Sequence, residues 1–369
     1  MSSFHLPQEI TDHILDHLHD ETETLRQCSL VSRSWIQGSR KHLFCQVSFG
    51  SSLLLKRWEK AFPNPLNSPG FYIRRLVVNG PEVFANVSGE YDWTQAFSRV
   101  VELEMWSRTN NPRFHFLLQL LIISERLCIA VAPLLPSHIL KIICSLPLLE
   151  DLSIAGYEVG DDDDDDDACT VSQPSTSPPL TGTFQIRWTR GIGPTARQLL
   201  ALPNGIRFRD LDCAWCIESD LRWIKALVDR CADTLQYVRL DRKVVKASCA
   251  SPIDFSRATK LKEVTLQLDD LGDVLTAMAL KTLTPDHRDL RMISICAIVD
   301  DYVNDEPRFE EIRRSWMGLD RFLVQLREST AFDTRVVYSK GKVGKGLQEH
   351  VESLFPEMRK RGIIKLEEL

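Results

Sequence analysis

Leu235-Gln236-Tyr237-Val238-Arg239-Leu240 and, 26 residues further on, Leu261-Lys262-Glu263-Val264-Thr265-Leu266 place apolar residues at the same three positions: i, i+3 and i+5. The last two anchors alternate with polar residues, the period-2 signature of a short strand with one face buried. The first anchor falls in the turn that leads into that strand. Towards the N-terminus the triplet recurs as Phe208-Leu211-Cys213, Thr181-Phe184-Ile186, Leu149-Leu152-Ile154, Ser124-Leu127-Ile129, Val100-Leu103-Met105 and Ile73-Leu76-Val78. Towards the C-terminus it recurs as Leu290-Ile293-Ile295. From first unit to ninth the spacings are 27, 24, 25, 32, 27, 27, 26 and 29 residues. So steady a period predicts a repeat architecture in which each unit buries its anchors against its neighbours.

Helical stripes lie between the strands. Ile217, Leu221, Ile224, Leu227, Val228 and Cys231 form one; Ile139, Leu140, Ile143 and Leu146 form another, with Ser137 as cap and Pro147 as stop; Phe309, Ile312, Trp316, Leu319, Leu323 and Leu326 form a third. A strand and a helix every 26 or so residues resembles a leucine-rich repeat, L-x-x-L-x-L. The resemblance implies an α/β repeat fold, a leucine-rich-repeat-like solenoid over residues 71–369. Two departures stand out. No regular asparagine follows the third anchor, so the side-chain ladder of typical repeats is missing, and Ser124 and Thr181 replace apolar first anchors.

Ahead of the repeat, Ile10, Ile14 and Leu18 recur every four residues with Leu15 beside them, after Pro7 at a helix start. A second helix carries Leu25, Cys28 and Val31 with Leu30 beside them. Ser32 is placed to cap a third helix bearing Trp35. Three helices in about 40 residues cannot bury all these apolar groups unaided, which suggests docking on a partner or on the next domain. The run Leu6-Pro7-x-Glu9-Ile10, Ile14-Leu15-x-x-Leu18 and Leu25-x-x-Cys28-Ser29-Leu30-Val31-Ser32-x-Ser34-Trp35 resembles an F-box, and is particularly similar to the F-box-like domains of basidiomycete fungal proteins. The resemblance implies binding to the Skp adaptor, and so to the cullin, of an SCF-type ubiquitin ligase. It carries the docking role onto Leu6, Pro7, Ile10, Ile14, Leu25, Cys28, Val31 and Trp35. The organisation it implies is a three-helix F-box-like domain over 1–45, a connecting helix and linker over 46–70, and the repeat from 71 onwards.

The remaining features bound what else the chain can do. Formal net charge is −6, and seven negative charges form one run, Asp161–Asp167; without them the balance is a single positive charge. Bulk charge therefore indicates neither a nucleic-acid nor a membrane-surface partner. The acidic run and the Ser/Thr/Pro-rich stretch after it predict a disordered surface loop over 158–180. Ten scattered cysteines, mostly among apolar residues, with no secretory signal at Met1-Ser2-Ser3, suggest reduced thiols in a cytoplasmic or nuclear protein. The apolar stretch 116–135 is interrupted by Glu125 and Arg126 and is not expected to span a membrane.

No catalytic constellation, cofactor site or metal site is expected. Cys213-Ala214-Trp215-Cys216 has redox spacing, but Cys213 is a third anchor and should point inward. Gly341–Gly346 lacks the hydroxyl residue of a phosphate loop. His13 and His17 lie one turn apart, a spacing that can chelate a metal. They lack the Glu of a metalloprotease helix and are expected to be solvated. The chain is thus expected to be a non-catalytic adaptor, or else a protein-binding scaffold whose helices only cap the solenoid. Target-binding residues are expected between the anchors, on the outward strand face: Glu104, Trp106, Arg187, Asp212, Tyr237 and Arg239, with Glu102, Asp210 and Asp241 on the same face.

Overall fold

The computed structural model describes residues 6–79, 93–107, 125–131, 143–144, 146, 148–155, 179–187, 192–202, 204–216, 220–242, 252–268, 274–299, 306–340 and 352–368. The chain divides into two compact units, residues 1–134 with 141–149 and residues 135–140 with 150–369. The division falls within the repeat, and the N-terminal helices belong to the first unit.

The first unit opens with α1 (Gln8–His17), α2 (Thr22–Val31) and α3 (Arg33–Leu43). Leu15, Leu25 and Cys28 are buried together, and Leu18, Trp35 and Leu43 pack against them. Ser32 stands at the N-terminus of α3, but its hydroxyl bonds the Ser34 hydroxyl rather than a backbone N–H. Next come β1 (Gln46–Phe49) and α4 (Ser52–Ala61), then β2 (Arg75–Asn79), α5 (Trp93–Ala96), β3 (Glu102–Ser107) and β4 (Arg126–Val131). The four strands pair in parallel in chain order. The segment read as connecting helix and linker is therefore in part sheet: α4 occupies its middle, but β1 already pairs with β2. Trp58 of α4 meets Phe44, Phe49, Phe62 and Phe97 at ring-centroid distances of 4.9–6.1 Å. Through Phe44, at the end of α3, this aromatic cluster ties the helices to the first strand.

The second unit contains β5 (Asp151–Ala155), β6 (Thr183–Arg187), α6 (Gly193–Leu200), β7 (Asp210–Cys216), α7 (Leu221–Cys231), β8 (Tyr237–Arg242), β9 (Glu263–Leu268), α8 (Val274–Leu280), β10 (Met292–Val299), α9 (Glu306–Ser329), β11 (Asp333–Lys340), α10 (Pro356–Lys360) and β12 (Ile364–Glu368). Each strand pairs in parallel with the next in sequence. The architecture is α/β with parallel strands, as the period implied, since parallel neighbours need a crossover between them.

All second and third anchors of the nine units are buried, from Leu76 and Val78 to Ile293 and Ile295. The first anchors Ile73, Val100, Leu149, Phe208, Leu235, Leu261 and Leu290 are buried too. Thr181 is exposed, and Ser124 lies outside the described residues. Leu180, next to Thr181, is buried and bridges Ile206, so an apolar neighbour fills the place that Thr181 leaves.

In place of the missing asparagines, a backbone device repeats at the residue after the first anchor. The carbonyls of Arg74, Val101, Arg209, Gln236 and Lys262 each accept from two successive N–H groups of the following unit. Cys45 does the same for Arg74 and Arg75, which places β1 in the same series.

Three expectations fall on residues outside the described set: the acidic loop, of which only Pro179 and Leu180 are described; most of the Ser137–Leu146 helix; and Gly341–Gly346. Of the stretch 116–135, residues 125–131 are described and contain β4. Among the described residues no helix is long and apolar enough to cross a membrane.

Candidate functional site

Two kinds of surface emerge, one on the helices and one on the strands. Of the eight residues given the adaptor-docking role, Leu25 and Cys28 lie inside the three-helix core, and Trp35 packs partly against it. These three shape the unit rather than present themselves to solvent. Leu6, Pro7, Ile10, Ile14 and Val31 are exposed. The helix α1 buries Thr11 and Leu15, so the Ile10–Ile14 stripe points away from the core, not into it. Leu30 adds to this surface and was missed. Its apolar pairing with Val31 at the end of α2 was the available signal. Leu30 is 85% exposed, Val31 67% and Leu6 56%. The Gln8 side-chain amide donates to the Ser34 carbonyl at 3.5 Å, which sets the start of α1 beside the α2–α3 junction that carries Leu30 and Val31.

On the strands, the residues between the anchors form rows in register. In the first unit Gln46, Arg75, Glu102 and Arg126 make one row, and Ser48, Val77, Glu104 and Cys128 the next. Arg75 lies 3.3 Å from Glu102 and 2.5 Å from Glu104. Its guanidinium is pushed above its ordinary value, chiefly by the Glu104 hydrogen bond. The other Glu104 oxygen accepts from the Trp106 indole N–H at 2.5 Å. Glu104 thus holds Trp106, which stays 48% exposed.

In the second unit one row runs Ser153, Gln185, Asp212, Arg239, Thr265, Ser294, Arg335 and Lys365. Ser153 donates to the Gln185 side-chain oxygen Oε1, and the Gln185 side-chain amide N–H and Arg187 both donate to one Asp212 oxygen, at 2.7 and 2.9 Å. Arg187 and Asp212 are therefore occupied with each other. Tyr237 is 40% exposed, with the Lys262 ammonium 6.0 Å over its ring. Arg239 is exposed and has no carboxylate within ion-pair distance among the described residues. Arg335 and Lys365 share the row and were missed, because the strands that carry them lie beyond the last regular triplet. Arg335 pairs with Glu367.

The six target-binding candidates therefore sort into two sets. Trp106, Tyr237 and Arg239 are open to a partner, and Glu104, Arg187 and Asp212 brace the face. Cys213 is buried, as its anchor position required. Among the described residues no three or more His, Cys, Asp or Glu side chains come together as a metal-ligand set.

Set against known proteins, the chain matches no protein-family model and no curated protein.

Proposed function

We propose that this chain is a non-catalytic substrate-recognition adaptor of an SCF-type cullin–RING ubiquitin ligase. In this reading α1–α3 are an F-box-like domain that docks the Skp adaptor. The parallel strands and their helices are a degenerate leucine-rich-repeat solenoid that holds a target protein. The observation that carries the reading is the exposure of Leu6, Ile10, Leu30 and Val31 on a three-helix unit whose own core is complete without them. Covering each by a partner contributes about 1–2 kcal/mol, enough together to anchor a protein interface. The sequence resemblance supplies the identity of that partner. The chain's own part is then proximity: it holds a target beside chemistry performed on other subunits.

The test is co-purification with Skp adaptor and cullin. Wild-type chain should retain both, and Leu6→Ala with Pro7→Ala should lose them while its thermal melting stays unchanged. A wild-type chain that captures a target but never an adaptor overturns the ligase reading in favour of a scaffold capped by the helices.

A further inference from the structure

His13 and His17, both exposed on α1, bring their Nε2 atoms to 3.2 Å, with ring centroids 4.5 Å apart and ring planes at 76°. Residues four apart on a helix lie one above the other on the same face, so the backbone itself sets this approach. Imidazole bonds of about 2.1 Å to a divalent transition metal would span that separation at an N–metal–N angle of roughly 100°, between the square and tetrahedral values. The two Nε2 atoms thus stand at a separation that one chelated metal can bridge. Without a metal, the same approach requires one ring to donate an N–H to the other.

We propose that His13 and His17 form a two-histidine site for a divalent transition metal of the nickel, copper or zinc type. A carboxylate-seeking cation such as calcium is not suited to paired imidazoles. No third protein ligand joins them among the described residues, so the open coordination positions are left to water or to a group from a bound partner. At 100° per residue, His13, His17, Ile10 and Ile14 fall within an arc of roughly 100° on α1. The metal would sit on the exposed apolar side of the helix. The site itself does not depend on the adaptor reading.

The experiment is equilibrium dialysis of the full chain against Ni²⁺, with His13→Ala, His17→Ala and His19→Ala variants. Circular dichroism and thermal melting in chelator check that each variant is folded; all three side chains are exposed, so no loss is expected there. Losing either arm of a chelate should weaken one Ni²⁺ site at least about tenfold, whereas His19→Ala should leave it unchanged. As a second readout, Ni²⁺ should raise the wild-type melting temperature and raise it less in His13→Ala and His17→Ala. Unchanged affinity in those two variants, or an equal loss in His19→Ala, overturns the proposal.

Discussion

Asp320 of α9 accepts from the backbone N–H of Met358 at 3.0 Å, across 38 residues of chain, and from that of Glu357 at 2.8 Å. These are the second and third residues of α10, whose N-terminal flanking residue is the apolar Phe355. A side chain from another helix thus does what a local Ser or Asp normally does. Asp320→Ala leaves two N–H groups without an acceptor and should cost about 2–4 kcal/mol in a urea titration. A loss under about 0.5 kcal/mol would show that water replaces the carboxylate.

The same residue gives a pH signature. Burial pushes the Asp320 carboxyl above its usual value near 3.8, and the two backbone N–H groups only partly offset this. The folded chain therefore holds this proton over a window in which the unfolded chain has released it. Stability from this group is highest below the unfolded value and falls as pH rises through the raised folded one. Asp320→Asn cannot titrate, so the advantage of wild type over that variant should shrink as pH rises from 3.5 to 7. An advantage that grows with pH would contradict it.

Phe184 and Phe208 stack with ring centroids 5.2 Å apart and planes at 16°. One is a second anchor and the other a first anchor of the next unit, so the pair locks two units together. Phe184→Ala should cost about 3–5 kcal/mol and Phe184→Leu about 1–2 kcal/mol, read from denaturant midpoints. Equal costs would mean that the cavity collapses.

Burial pushes the Cys231 thiol up to about 12, so thiolate is scarce there at neutral pH. Cys45 is exposed. Brief iodoacetamide treatment at pH 8 followed by peptide mass analysis should find Cys45 alkylated and Cys231 free until urea is added. Alkylation of native Cys231 would reveal local opening of α7.

Trp106→Ala, Tyr237→Ala and Arg239→Glu change side chains that face solvent between buried anchors. Each should weaken target capture at least about tenfold, with melting temperature and adaptor binding unchanged. Target capture that survives all three, and is lost on changes to the helices between strands, would move the site off the strand face.

Much of the fold was legible because burial follows period. Leu235-x-x-Val238-x-Leu240 and its eight relatives face inward wherever they are described, Thr181 excepted, since alternate residues of a strand must share a face. β1 was not legible, as Gln46–Phe49 repeats only part of the triplet. Its membership is decided by the Cys45 carbonyl bonding Arg74 and Arg75. Which face of α1 meets the core was not legible either. Ile10 and Ile14 make as good an apolar stripe as Thr11 and Leu15 make a core face, and only packing against α2 and α3 decides between them.

By itself, then, the sequence determined the period, the inward anchors and most of the outward positions, although Asp241, expected on the outward face, is buried. These depend on local geometry that any strand of L-residues obeys. Tertiary structure alone decided which outward residues are open: Arg187 is held by Asp212, whereas Arg239, which stands opposite Asp212 in register, is not. It also decided that backbone carbonyls join the units and that Asp320 caps a helix 36 residues away. Any residue can supply a carbonyl, and distant partners leave no spacing to read, so neither contact is written in the local pattern.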